Sequence, residues 1–285
     1  MNEFSGKVAV ITGAGNGFGI EFAKECANRQ MKVVLADIRE DNLKQTERLL
    51  IEMGCDVLAV PTDVSIYEQV AQLATKTIEH FGQVDLLFNN AGVVVPGPVW
   101  EIPMNDWDWI MSVNVNGIAY GLRAFIPIML EQGTACHIVN TASIAGLLTT
   151  PSMAAYHTSK HATVALSESV NYAMQAKQAQ IKLSVFCPGF VQTNLHHSDD
   201  YRPERFKINP NEPYYQSKTF FEGLKRAEHV INTGIPIDSI GQSVFTAIEE
   251  ERFYILTHPK YNPMIGKRVK DMLEGVIPSV SIFSS

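Results

Sequence analysis

Short runs of Val, Ile, Leu and Ala recur along this 285-residue chain at residues 7–11, 32–36, 56–60, 84–88, 137–140, 182–186 and 253–256. No other feature limits the possible folds as strongly. Runs this short and this apolar suit strands covered on both faces, as in a parallel sheet; a strand with one wet face would alternate apolar and polar residues. Between them lie stretches with helical periodicity, at 17–29, 41–53, 66–81, 105–131, 155–177 and 238–250. Strand alternating with helix predicts βαβ units and a doubly wound, seven-stranded and mostly parallel sheet with helices on both faces. No Pro- or Ser-rich linker and no internal repeat divides the chain, so the reading is one domain over 1–285. The rhythm breaks once, at 190–236, a stretch rich in Pro, Asn and aromatics. An irregular segment that long inside a compact domain suggests a substrate loop or lid.

The first predicted strand runs directly into Thr12-Gly13-Ala14-Gly15-Asn16-Gly17-Phe18-Gly19 and then into a helix. Glycines there allow a tight turn and close approach of the backbone to a pyrophosphate. The helix that follows aims its unpaired N–H groups and the positive end of its dipole at the same anion. This context implies dinucleotide binding at Gly13, Asn16, Gly17, Phe18 and Gly19. The second strand ends at Asp37, where a carboxylate accepts hydrogen bonds from ribose hydroxyls and repels a 2′-phosphate, favouring NAD over NADP. Arg39, two residues on, either pairs with such a phosphate or simply starts the next helix.

Tyr156 and Lys160 lie four residues apart near the start of a predicted helix and so share one face. A phenol with a pKa near 10 is a poor proton-transfer group at neutral pH, and a neighbouring cation favours its phenolate. Lowering that pKa by about three units takes roughly 4 kcal/mol, more than one exposed charge supplies. The positive nicotinamide of an oxidised cofactor is a natural second source. Ser143 falls just past the fifth predicted strand, at the sheet edge that lines the ligand crevice of such folds.

These motifs, together with Asn89-Asn90-Ala91-Gly92, Asn114 and Pro188-Gly189, occur in an order and spacing that closely resembles the short-chain dehydrogenase/reductase family, over residues 5 to about 194. The resemblance implies a Rossmann-type fold and reversible hydride transfer between NAD and a secondary alcohol or ketone. It implies a catalytic set of Asn114, Ser143, Tyr156 and Lys160. Tyr156 would exchange a proton with the substrate oxygen and Ser143 would hydrogen-bond it. Lys160 would hold the nicotinamide ribose, and Asn114 a proton-relaying water. Asp63 and Val64 resemble the family's adenine contact, and Asn90 the residue beside the adenosine ribose. Val191 and Thr193, after Pro188 and Gly189, would meet the nicotinamide carboxamide. Phe18 stands where the family usually has Ile, a change expected to alter packing beneath the pyrophosphate.

The remaining features set expectations of exclusion. A net charge of −7 offers no electrostatic footprint for nucleic acid or an anionic membrane. Cys26, Cys55, Cys136 and Cys187 are scattered and suit reduced thiols in a cytoplasmic protein. No basic segment followed by an apolar run opens the chain, and no stretch reaches the ~18 apolar residues of a membrane span. His157 and His161 have the spacing of a helical metal pair but lack an evident third ligand, so no metal is expected. The aromatics of 190–236 lean toward a bulky apolar substrate of steroid, terpenoid or acyl type, or else cover a core or an interface. The extension at 257–285 lacks the glycine-rich segment through which many family members form tetramers. That leaves a homodimer through 105–131 and 155–177 as the favoured assembly over a homotetramer. The competing reading is a non-catalytic NAD(P)-binding sensor on the same fold.

Overall fold

The computed structural model describes residue 1 and residues 3–280. Its centre is a seven-stranded sheet: β1 Val8–Thr12, β2 Lys32–Asp37, β3 Val57–Pro61, β4 Leu86–Asn89, β5 Cys136–Thr141, β6 Ile181–Phe186 and β7 Tyr254–Ile255. All six strand pairs are parallel, in the order β3-β2-β1-β4-β5-β6-β7. β1, β4 and β5 are buried along their whole length, while β3 and β7 form the more accessible edges. The strands are largely apolar because each side of the sheet carries its own core. Ala9, Ile11, Val33, Leu35, Leu86 and Phe88 pack toward one side, where Phe22, Leu43, Leu50, Val244 and Phe245 cover them. Val8, Val10, Val34, Ala36 and Leu87 pack toward the other, against Leu73, Leu122, Phe125 and Met174. Neighbouring residues of one strand thus belong to opposite cores, as the two-residue period of a strand requires.

The covering helices are α1 Gly17–Asn28, α2 Glu40–Glu52, α3 Tyr67–Phe81, α4 Met104–Met111, α5 Gly117–Gln132, α6 Ala154–Ala176, α7 Lys218–Asn232, α8 Ile240–Glu249 and α9 Asn262–Leu273. Three departures from expectation follow. The helix expected over 105–131 is interrupted by a π-helical segment, Ser112–Asn116, which re-aims Asn114. Periodicity does not reveal a π insertion, because it adds one residue to a turn without changing composition. The segment 190–236, read as irregular, contains the 15-residue α7 and three 3-10 turns. Most of its Pro and Asn residues flank those turns, as Asn194, Pro203 and Pro210 do, and they mask the helix that follows. The extension at 257–285 carries α9 through Leu273; its last five residues lie outside the described residues.

A buried polar cluster fastens the lid segment to the body. Arg202, with 6% of its side chain exposed, donates from Nη1 to Asp106 of α4 at 2.7 Å. Its guanidinium also binds Asp199 and lies 3.9 Å from the Trp109 ring centre. Tyr215 donates its hydroxyl to the same Asp106 oxygen at 2.7 Å. Removing one member of such a cluster leaves a buried charge short of a partner. Asp106→Ala is therefore expected to cost about 3 kcal/mol, the low end of the range because Asp199 remains. A lowered urea midpoint, with new proteolytic cleavage within 195–216, is the check.

Candidate active site

The strand order reverses at the centre of the sheet, where β1 and β4 are neighbours but the chain leaves them for opposite flanks. Their connections part there and open a crevice beyond the C-terminal ends of the strands. A cavity of about 910 Å³ fills that crevice.

The glycine turn forms its floor. Gly13 and Gly17 have φ of +64° and +50°, in the left-handed region that disfavours side chains. A Cβ on Gly19 would overlap the Gly13 carbonyl oxygen, and one on Gly13 would stand 2.8 Å from the Ala91 Cα. Backbone therefore meets backbone here with no room for side chains, and the N-terminus of α1 opens into the cavity. Thr12 braces the arrangement: its hydroxyl accepts the N–H groups of Asn90 (2.9 Å) and Ala91 (3.2 Å). Asn90 returns its amide to the carbonyls of Thr12 and Gly13. Phe18 turns beneath the turn, its ring 5.2 Å from that of Phe186 and 6.2 Å from that of Phe22.

At the far end, Asp37 accepts the Gly15 N–H at 2.8 Å and the Arg39 N–H at 2.9 Å. Burial raises its pKa, against the pull of those bonds. Arg39 is engaged elsewhere, with Asp41 at 3.0 Å and the Asp200 carbonyl at 2.8 Å. Asp63 receives Arg205 at 2.7 Å and the Ser65 hydroxyl at 2.5 Å, and Val64 is buried beside it against Gly117. Tyr201 accepts from Asn16 at 2.7 Å and Asn42 at 3.2 Å. The segment 194–205 thus crosses the outer end of the cavity. Tyr201 counts among the loop aromatics expected to cover an apolar substrate, a core or an interface, and here it binds Asn16 of the glycine turn instead; Arg205 belongs to no motif and carries no expectation.

The other end collects the residues expected to react. Ser143, 8% exposed, accepts the Ala145 N–H at 3.1 Å and donates to the Pro188 carbonyl at 3.4 Å. Tyr156 and Lys160 project from α6, the Lys160 Nζ lying 5.8 Å from the Tyr156 ring centre and donating to the Thr141 carbonyl at 2.9 Å. Asn114 is buried, holding the Val93 backbone at both ends (2.8 and 2.9 Å) and donating to the Ser159 hydroxyl at 3.0 Å. Gly92 lies beside both groups, a Cβ there standing in ordinary contact at 3.4 Å from Lys160 Nζ and 3.5 Å from Asn114 Oδ1. Gly189 rests on the buried His258, its N–H 3.1 Å from His258 Nδ1; that histidine comes from the C-terminal extension and gave no sequence signal. Val191 is buried, and Thr193 faces Gly17 at 3.6 Å from where a Cβ would stand.

Burial dominates the protonation of the reacting pair. It pushes the Tyr156 phenol up to about 12, opposed by a hydrogen bond with Ser143. It brings the Lys160 ammonium down from 10.5 to about 8. One cation at that distance does not reverse the desolvation of the phenol. The described residues contain no cluster of three or more metal-ligating side chains. His157 binds the Ala145 carbonyl and the Thr150 amide instead. The four cysteines are free thiols.

The glycine cradle, the carboxylate of Asp37 and the buried ammonium of Lys160 line one cavity, a lining that fits a dinucleotide. Beyond Ser143 the walls include Val93, Leu148, Phe190, Val230 and Met264, an apolar chamber roofed by α7 and α9.

A family model described as short chain dehydrogenase matches residues 7–203. The chain is 45% identical over 282 residues to the CLA biosynthesis dehydrogenase/reductase of Lactiplantibacillus plantarum, covering 99% of this chain and 98% of that protein. It is 30% identical over 267 residues to a 1-deoxy-11-beta-hydroxypentalenate dehydrogenase of Streptomyces avermitilis, covering 93% and 89%. The crystal structure of a short chain dehydrogenase/reductase from Burkholderia phymatum in complex with NAD superposes with a TM-score of 0.95 at 44% identity, covering 98% of each chain.

The buried ammonium of Lys160 has a measurable consequence. At pH 7 both folded and unfolded chains carry the charge, so the folded state bears the full desolvation cost. That cost is relieved as pH rises from about 8 toward 10.5. The depression corresponds to about 3 kcal/mol, offset by about 1 kcal/mol for the hydrogen bond to Thr141. Lys160→Met is expected to raise the melting temperature of the cofactor-free protein at pH 7 by several degrees, with the gain shrinking by pH 10; calorimetry at both pH values checks it.

Proposed function

The chain belongs to the short-chain dehydrogenase/reductase family, and from that premise we propose that it transfers hydride reversibly between NAD and a secondary alcohol or ketone. The observation carrying this reading is the meeting of Ser143, Tyr156 and Lys160 in one cavity with the glycine turn. NAD, when bound, supplies the hydride acceptor and a fixed positive charge. The protein's part is positioning and proton transfer. Gly13, Asn16, Gly17, Phe18 and Gly19 seat the pyrophosphate, with Asp37 holding the adenosine ribose and Asp63, Val64 and Asn90 beside the adenine end. Pro188, Gly189, Val191 and Thr193 border the nicotinamide. Ser143 donates to the substrate oxygen, and Tyr156 takes its proton when the alcohol is oxidised. Lys160 holds the adjoining ribose and adds its charge to the one that stabilises the phenolate. Asn114 keeps the Val93 backbone and the Ser159 hydroxyl in place behind the pair, where a relay water is expected.

NAD is preferred to NADP because Asp37 meets the ribose and Arg39, drawn to Asp41 and Asp200, is turned from a 2′-phosphate. The apolar chamber and the aromatics of the lid favour a bulky, largely apolar substrate of steroid, terpenoid or acyl type. The relatives named for CLA biosynthesis and for a hydroxypentalenate support an alcohol or ketone on such a skeleton. Free cysteines suit a cytoplasmic location. Tyr156→Phe is expected to lower kcat by about 10²–10⁴-fold on an apolar secondary alcohol while NADH fluorescence titration still reports binding. Undiminished turnover would remove Tyr156 from the proton-transfer role.

Assembly is proposed as a homodimer through α5 and α6. The stretch Met104–Gln132 has a mean hydropathy of 1.3 in its most apolar window, of which only 39% is buried within one chain. It is long and apolar enough to cross a membrane by length and composition alone, but its place against the sheet makes an intersubunit face the better account. Leu130 and Tyr172, 38% and 65% exposed, add to that face. Light scattering at micromolar concentration is expected to give twice the 31.6 kDa chain mass; the chain mass itself would rule the dimer out.

A further inference from the structure

His157 follows Tyr156 in α6 and is buried, yet neither the hydride-transfer scheme nor a metal uses it. Its ring spans two points of the loop that joins Ser143 to α6. Nδ1 lies 3.0 Å from the Ala145 carbonyl, and Nε2 lies 2.9 Å from the Thr150 backbone N and 3.0 Å from the Thr150 hydroxyl. A carbonyl only accepts and a backbone N–H only donates, so the proton must sit on Nδ1 and Nε2 must be bare. Ala145 is the residue whose N–H also holds the Ser143 hydroxyl. The loop needs an anchor: Ser152 has φ +61°, a strained conformation for a side-chain-bearing residue, and Thr149 and Thr150 are exposed. Its other side is pinned by the Gly97 N–H to the Ser152 carbonyl at 2.7 Å. Leu148, Thr150, Pro151, Ser152 and Met153 all line the cavity.

We infer that His157 is a positioning residue for the proposed reaction, its neutral Nδ1–H imidazole tying the helix of Tyr156 and Lys160 to the loop that presents Ser143 and walls the substrate chamber. Protonation would set an N–H at Nε2 against the N–H of Thr150 and release that end of the loop. Burial opposes protonation and outweighs the backbone hydrogen bonds at Ala145 and Leu148 that favour it. The charged or titratable neighbour facing it is His161, one turn on in α6, which also disfavours a second proton and whose Nδ1 meets the His157 carbonyl at 3.0 Å.

This inference rests on the hydride-transfer reading, and two measurements on the full chain separate the two. In protein with ¹⁵N-labelled histidine, His157 is expected to show a protonated Nδ1 and bare Nε2 and to titrate below the ordinary histidine range, because burial disfavours its charged form. An Nε2–H tautomer, or titration near the ordinary 6.5, overturns the inference with no turnover required. With a secondary alcohol that the wild type oxidises, His157→Phe is expected to lower kcat/KM about tenfold or more. KM should rise and NADH affinity should stay within about twofold, since the glycine cradle is untouched. His157→Gln, which can still bond one end of the loop, should recover part of the loss. A Phe variant as active as wild type overturns the inference. If that variant does not fold, wild-type activity in both His157→Gln and His157→Asn, each able to keep only one of the two bonds, overturns it equally. A wild type that oxidises no alcohol counts instead against the hydride-transfer reading.

Discussion

Contact between bare backbones at the sheet's central reversal underlies the rest of the structure. Gly13 must touch Ala91, and Gly19 must touch Gly13, for β1 and α1 to join with the helix start facing the crevice. Thr12 then spends its hydroxyl on the first two amides after β4 and so fixes the neighbouring floor. Every later element of the site is placed relative to these two turns. Asn90 reaches back to the glycine turn and accepts the Thr141 hydroxyl at the end of β5. Thr141 in turn offers its carbonyl to Lys160. The cradle and the reacting end are thus parts of one hydrogen-bonded frame running across β1, β4 and β5.

That frame is legible in the sequence because its residues have no substitutes. A left-handed turn in contact with another backbone calls for glycine, and a strand covered on both faces calls for an unbroken apolar run. The strand positions, the glycine turn and the placing of Ser143 at a strand end accordingly read well from residues alone.

What could not be read depends on contacts between distant segments. The π-helical turn at Asn114 exists because the side chain must meet both the Val93 backbone and Ser159, partners 21 and 45 residues away. α7 is hidden behind the turn-forming residues that precede it, although its own Phe220, Leu224, Ala227 and Ile231 recur at helical spacing. Tyr201 lines the cavity, Arg205 holds Asp63 and His258 backs Gly189, each from a segment far from its partner in sequence. Arg39 shows the limit most clearly: from the sequence it either pairs with a 2′-phosphate or starts the next helix, and its bonds to Asp41 and to the Asp200 carbonyl, 161 residues away, leave no trace in a motif.

Burial gives the site its character and also its difficulty. A phenol pushed to about 12 and an ammonium drawn to about 8 are both less charged than the same groups in water. The low dielectric that causes this makes any added charge act strongly at short range. A positive ring placed between substrate and Lys160 would therefore shift Tyr156 far more than it would at a surface. It would do so only while present, leaving the phenol protonated otherwise. The proposed hydride transfer asks that Ser143, Tyr156 and Lys160 keep their spacing while the chamber admits a substrate. The loop from Ser143 to α6 bears both demands, since it holds the hydroxyl at one end and forms the chamber wall along its length. A strained, partly exposed loop cannot meet them by its own packing, which is why a buried imidazole bonded at both edges belongs beside the reactive tyrosine.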